Sequence, residues 1–116
     1  MKKIILLMSF IVLTTIAHAI TYTSVTRCTN GVWSNKCKIK TTVTYNEKSQ
    51  LITISSPTLG KLVLKVQSSK TKDGVEMHLC KNIKTNLYYI VMITVENGIP
   101  YVSLSPSEDT IYLFGF

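Results

Sequence analysis

The stretch from Leu87 to Leu104 constrains the fold more than any other part of the chain, because it has the pattern of two β-strands joined at Asn97-Gly98. An Asn-Gly pair favours a two-residue type I′ turn, in which both central residues need a positive φ. Such a turn sets Val95 opposite Pro100. The apolar residues then share one face, which we expect to be buried: Leu87, Tyr89, Val91, Ile93, Val95, Pro100, Val102 and Leu104.

The opposite face of the first of these strands is also apolar, with Tyr88, Ile90 and Met92. A strand that is apolar on both faces is usually central or covered on both sides. Pro100 has no N–H to donate, so the second strand is predicted to be an edge at that point or to pair there on one side only.

A second hairpin is predicted from the alternating segment Cys37–Tyr45, whose odd-numbered residues form the apolar face. The chain turns at 46–49 and returns through Leu51–Ser55. We expect Val43 to lie opposite Ile52, which matches the apolar faces of the two strands.

A third hairpin is predicted at Asp73-Gly74, which is also a strong turn signal. Folding there sets Lys72 opposite Val75. In that register the apolar face carries Leu62, Leu64, Val66, Val75, Met77 and Leu79, and the polar face carries Lys61, Lys65, Glu76, His78 and Cys80.

The fold class that follows is all-β. No window of the chain after the N-terminal segment shows apolar residues at helical spacing, and β-branched residues dominate. We expect about eight short antiparallel strands in a hairpin meander, closed as a small up-and-down barrel or packed as a two-layer sandwich. The barrel is preferred because closure removes exposed strand edges.

The N-terminal residues 1–19 have the three parts of a secretory signal peptide. Lys2 and Lys3 precede an apolar run over Ile4–Ile16, and Ala17-His18-Ala19 is a small-x-small cleavage site. The run is shorter than the roughly 20 residues that a spanning helix needs. We therefore predict a single exported domain, Ile20–Phe116, that is periplasmic or secreted and has no transmembrane segment after cleavage.

Three cysteines follow the predicted cleavage site, and an oxidising compartment favours one disulfide with one free thiol. We expect the Cys28–Cys37 bridge, because the intervening segment contains Asn30-Gly31 and can turn back on itself. The pairings Cys37–Cys80 and Cys28–Cys80 stay open at this point.

Catalysis and metal binding are not predicted. His78 is the single histidine after residue 19, and the two aspartates both lie in turn sequences. No nucleophile elbow or glycine-rich phosphate loop is present. His78 and Cys80 fall short of the four ligands of a structural zinc site. We therefore expect a protein that is not an enzyme and that uses no cofactor.

The candidate binding residues are basic or aromatic. The chain carries a formal charge of +7, and its lysines form two stripes that can attract acidic proteins or anionic surfaces. The candidates are Lys36, Lys38, Lys40, Lys61, Lys65 and Trp33. For Trp33, a plug at one end of the core is the favoured interpretation and a binding aromatic is the alternative. Nucleic acid is disfavoured by export and by the lack of a stacking motif.

Three segments carry a resemblance to a known family. They are Cys28-Thr29-Asn30-Gly31, Thr42-Val43-Thr44-Tyr45-Asn46 and Leu51-Ile52-Thr53-Ile54. Together they resemble parts of the small periplasmic lysozyme inhibitors. The resemblance implies a short exported β-barrel with a disulfide, and no inhibitory residue is carried over.

The sequence thus favours a small exported protein that acts by binding a macromolecular partner, either a protein or an anionic surface. The alternatives are a lipocalin-like carrier of a small apolar ligand and an inhibitor of a periplasmic enzyme of the lysozyme type.

Overall fold

The structure is a computed structural model that describes residues 18–116. Ten antiparallel strands form one sheet. They are β1 (His18–Tyr22), β2 (Ser24–Thr29), β3 (Val32–Trp33), β4 (Thr41–Asn46), β5 (Leu51–Ser56), β6 (Gly60–Lys72), β7 (Val75–Asn82), β8 (Tyr88–Glu96), β9 (Ile99–Ser107) and β10 (Thr110–Gly115). No helix occurs in this part of the chain. The predicted all-β class is confirmed.

The strand order is β1-β4-β5-β6-β7-β8-β9-β10-β2-β3, and the sheet curls into a half-barrel. The strands from β4 to β10 form the predicted meander. β1 and β2 are separated only by Thr23, yet β1 pairs with β4 and β2 pairs with β10. Residues 18–29 therefore draw the two ends of the meander toward each other.

The core lies on the inner face of this curled sheet. Its buried members come from β1, β2 and every strand from β4 to β10. They are Tyr22, Val25, Val43, Ile52, Ile54, Leu64, Val66, Cys80, Val91, Val102, Leu104 and Phe114. Alternate residues of each strand face this core, and the intervening residues face outward.

The hairpin that constrained the sequence analysis forms in the predicted register. Val95 lies opposite Pro100, and Asn97 and Gly98 both have a positive φ. Val91 and Leu104 are fully buried on the inner face. Pro100 is paired with β8 only, as predicted. The prediction of a buried face is wrong at the two ends of the first strand, where Leu87 and Val95 are exposed.

The second hairpin confirms the predicted faces but not the predicted partners. Val43 lies opposite Ile54 rather than Ile52. The turn takes four residues, 47–50, and the Asn46 side chain stabilises it by accepting hydrogen bonds from the main-chain N–H groups of Lys48 and Ser49. A shift of two positions leaves each side chain on its expected face.

The third hairpin contains the main correction to the predicted faces. Lys72 lies opposite Val75 as predicted, but the register shifts between Val66 and Ser68. This β-bulge adds one residue to β6. The two sides of the bulge therefore cannot both keep the predicted relation between the faces of β6 and those of β7. Val66 consequently lies opposite Cys80, and β7 turns Glu76, His78 and Cys80 toward the core instead of Val75, Met77 and Leu79.

The predicted signal peptide lies almost wholly outside the described residues. Residues 1–17 are not described, while His18 and Ala19 belong to β1 and pair with Tyr45 and Thr44. Within residues 18–116 there is no helix with the length and apolar character needed to cross a bilayer.

Candidate functional site

Three of the candidate lysines lie together on the segment between β3 and β4. The main chain at Cys37 pairs with Val25 through two hydrogen bonds of 2.9 Å, which hold the segment against β2. Lys36, Lys38 and Lys40 are exposed on this segment. They line one groove of about 560 Å³, together with Thr23, Ser24 and Phe116. We call this the lysine groove.

The lysine groove carries three lysines, and no Asp or Glu side chain is among its lining residues. Lys36 Nζ donates a hydrogen bond of 3.1 Å to the main-chain oxygen of Phe116, which ties the segment to the end of β10. Such a concave surface of one charge sign concentrates the electrostatic field and attracts anions.

An aromatic cluster supports the floor of the groove. The ring of Phe116 lies 5.2 Å from that of Tyr22 and 6.1 Å from that of Tyr101. Tyr22 is fully buried and its hydroxyl donates to the Pro100 carbonyl. Burial, with a smaller contribution from Tyr101, raises the Tyr22 pKa well above its usual value. The floor is therefore apolar and held in place by packing on both sides.

The groove continues across the outer face of β8, β9 and β10. A second depression of about 440 Å³ shares Ser24, Lys36 and Phe116 with the lysine groove. Its lining passes Tyr101 and Leu113 and also includes Glu96. The combined surface thus has a basic end and an apolar middle.

The remaining candidate residues lie elsewhere. Lys61 and Lys65 are exposed on the outer face of β6, where Lys65 Nζ donates to the Ser49 carbonyl at 2.7 Å. Neither lines the lysine groove. Trp33 lies on β3 at the end of the sheet order and is 53% exposed. The interpretation of Trp33 as a plug for the core is therefore wrong.

All three cysteines are free in the structure, so the predicted Cys28–Cys37 bridge is not formed. Cys28 lies opposite Trp33, whereas Cys37 lies opposite Val25. With about 3.3 Å of rise per residue, this offset puts the two Cα atoms on the order of 10 Å apart, beyond the reach of a disulfide. Burial raises the pKa of the Cys80 thiol to about 11.

A polar cluster on the inner face was missed by the sequence analysis. His78 is only 4% exposed. Its Nδ1 lies 2.6 Å from the Ser69 hydroxyl and its Nε2 lies 3.0 Å from a Glu76 carboxylate oxygen. An ionised carboxylate only accepts, so Nε2 carries a proton, and the Ser69 hydroxyl can donate to Nδ1 when that nitrogen carries none. The sequence analysis placed His78 on the outer face because it did not predict the β-bulge between Val66 and Ser68.

The chemistry of this cluster follows from strand register. Ser69 is the direct cross-strand partner of His78, and Glu76 lies two residues away on the same strand face. In a nucleophilic triad the hydroxyl contacts Nε2 and the acid contacts Nδ1, which is the reverse of the arrangement here. The observed bonds satisfy a buried imidazole and link β6 to β7. That the protein is not an enzyme stays a prediction.

Tyr45 completes the cluster. Its ring contacts the His78 ring edge-on, with 5.5 Å between centroids. Burial and the nearby carboxylates of Glu47 and Glu76 raise the Tyr45 pKa to about 12. Over the described residues, no group of three or more His, Cys, Asp and Glu side chains is placed to hold a metal ion.

Comparison with known proteins gives no family or function. No protein-family model, curated protein or solved structure matches the chain.

Proposed function

We propose that this protein is an exported, non-enzymatic binding protein that holds an acidic segment of a partner protein in the lysine groove. The observation that carries the proposal is that Lys36, Lys38 and Lys40 line one concave surface, with no Asp or Glu side chain among its lining residues. Export is inferred from the signal-peptide pattern of residues 1–19.

The shape and composition of the groove favour an extended peptide segment over an isolated ion. The lysines stand beside Phe116, and the adjoining depression is lined by Tyr101 and Leu113. Charged groups give orientation and speed of association, whereas aromatic anchors supply most of the binding energy at protein interfaces. A segment with acidic residues next to an apolar residue would use both parts.

The two alternative functions receive less support from the geometry. A carrier needs an internal cavity, but the inner face is occupied by packed side chains such as Tyr22, Leu64 and Phe114. Inhibition of a lysozyme-type enzyme stays a prediction from the sequence resemblance, and no feature of the lysine groove favours it.

The test uses the full chain and a fluorescein-labelled peptide that contains three glutamates followed by phenylalanine and leucine. Binding is measured by fluorescence anisotropy at 150 mM NaCl, where the Debye length is about 8 Å. Reversing the groove charges in Lys36→Glu/Lys38→Glu/Lys40→Glu is expected to weaken binding at least tenfold.

The matched control is Lys61→Glu/Lys65→Glu/Lys70→Glu, which makes the same change in net charge on β6. It is expected to change the affinity by less than about threefold, because charges more than a Debye length from the peptide are screened. Equal losses in the two variants, or no saturable binding to the wild-type chain, would contradict the proposal.

A further inference from the structure

A second surface with a different chemistry lies on the outer side of β7, β8 and the turn between them. Five large apolar side chains are exposed here, with exposed fractions between 38% and 61%. They are Leu79, Ile83, Leu87, Tyr88 and Ile90. Leu79 and Ile90 are direct cross-strand partners, and the half-buried pair Met77 and Met92 continues the same face. We call this the β7–β8 apolar face.

This apolar face exists because of the β-bulge in β6. The bulge turns His78 and Cys80 inward, so the apolar residues of β7 that the sequence placed in the core point outward. Contiguous apolar patches on the surface of a small soluble protein generally mark an interaction site.

Lysines border the face along β6 and at one end. Lys65 and Lys81 lie directly opposite each other across β6 and β7, and Lys70 lies opposite Met77. Lys84 is exposed in the turn after β7. Like charges in directly opposed positions repel each other unless a counter-charge is present.

No carboxylate neutralises these lysines from the outward positions of β5, β6 or β7. The single acidic residue on the three strands is Glu76, which bonds to His78 on the inner side. The surface therefore combines an exposed apolar patch with an unneutralised row of cations. Its complement is a surface that is anionic at the outside and apolar beneath.

We propose that the β7–β8 apolar face docks onto an anionic lipid bilayer, with the lysines contacting lipid headgroups and the apolar side chains entering the interface. Tyr88 suits this position, because its ring is amphipathic and Lys81 Nζ lies 5.8 Å from the ring centroid. The outer side of a curled sheet is convex, and a fluid lipid surface conforms to such a shape without a matching concave partner.

The β7–β8 apolar face and the lysine groove share no residue. The five exposed residues of the face also lie outside the continuation of the groove, where the half-buried Met92 belongs to both surfaces. Docking through β7 and β8 would leave the lysine groove, formed by residues 23–40 and the end of β10, open to a partner.

The experiment uses tryptophan fluorescence to measure whether one position of the full chain enters the bilayer. In the variant Trp33→Phe/Tyr88→Trp, the single tryptophan reports from the β7–β8 apolar face, and the wild-type Trp33 on β3 is the matched control. Each protein is mixed with vesicles of phosphatidylcholine containing 30% brominated phosphatidylglycerol. Vesicles of brominated phosphatidylcholine alone test whether binding requires an anionic lipid.

We expect the fluorescence of the variant carrying Tyr88→Trp to shift to the blue and to be quenched on the anionic vesicles, while Trp33 fluorescence of the wild type changes little. Adding Lys65→Glu/Lys81→Glu should lower the partition coefficient at least about 30-fold, since the loss of the two lysines alone accounts for that factor near an anionic surface. The matched addition Lys36→Glu/Lys38→Glu should have a smaller effect.

Three results would overturn the proposal. They are equal quenching of the tryptophans at the two positions, equal binding to neutral vesicles, and a blue shift of the Tyr88→Trp variant that follows protein concentration without vesicles. The last result would assign the face to contact between two copies of the chain.

Discussion

The replacement of His78 by alanine should destabilise the protein more than the replacement of its neighbour Leu79, although leucine is the more hydrophobic residue. His78 is 4% exposed on the inner face, whereas Leu79 is 39% exposed on the outer face. A hairpin without the β-bulge would reverse these positions. The pair of variants therefore tests the register of β6 and β7.

The size of the effect follows from the contacts of each side chain. His78→Ala removes hydrogen bonds to Ser69 and Glu76, each worth about 1 kcal/mol net, and leaves a gap beside Tyr45. We expect a loss of about 2–4 kcal/mol in the free energy of unfolding. Leu79→Ala removes part of an exposed side chain without leaving a cavity, and should cost about 1 kcal/mol or less.

The assay is urea unfolding followed by far-ultraviolet circular dichroism, with thermal melts as a second measurement. The midpoint temperature should fall by roughly 10–20 °C for His78→Ala and by only about 5 °C for Leu79→Ala. If Leu79→Ala were the more destabilising variant, the bulge and the inward position of His78 would both be refuted.

Three further predictions concern burial. Phe114→Ala should lower the free energy of unfolding by about 3–5 kcal/mol, whereas Leu113→Ala, on the outer face, should lower it by less than about 1 kcal/mol. Comparable urea midpoints for the two variants would contradict the register of β10. Cys37 should react fastest with Ellman's reagent, because it is exposed and Cys80 is buried with a pKa of about 11; recovery of fewer than three thiols after denaturation would show a disulfide. The raised pKa of Tyr45 (about 12) favours the neutral phenol in the folded state, so its contribution to stability is present below pH 10 and is lost as pH rises toward 12. A pH titration of absorbance at 295 nm, comparing the wild type with Tyr45→Phe, checks this, and phenolate formation by Tyr45 near pH 10 would refute it.

Much of the hairpin architecture could be predicted because its signals are local. Asp73-Gly74 and Asn97-Gly98 both adopt the positive φ values that a tight hairpin turn needs, and each fixes the pairing of its immediate neighbours. The alternating pattern around Val43 set the correct face even though the partner was wrong, since the turn spans 47–50 rather than 46–49. Such features need no knowledge of distant strands.

The features that were missed depend on contacts between distant parts of the chain. The β-bulge near Val66 has no glycine or other local signal, and it becomes visible only in the pairing of β6 with β7. Sequence spacing also could not show that Cys37 would lie opposite Val25, which separates it from Cys28. Both differences changed the candidate site, because they placed His78 inside and left Cys37 exposed.

The three lysines of the groove were predicted as a stripe on a strand, and the structure shows them on a segment that has no regular strand. Their alternation is typical of one face of a strand. The sequence therefore predicted that the three lysines lie together, although the segment that carries them is not a strand. The contribution of Phe116 was not foreseen, because it comes from the packing of the chain after β10 against Tyr22 and Tyr101.

The position at which the acidic peptide binds can be observed directly. Two-dimensional ¹H–¹⁵N spectra of the full chain, recorded during titration with the peptide, identify the residues whose environment changes. We expect saturable shifts at Lys36, Lys38, Lys40 and Phe116, with little change at Lys61 and Lys65. Shifts confined to β6, or spread evenly over all lysines, would contradict the assignment of the lysine groove as the binding site.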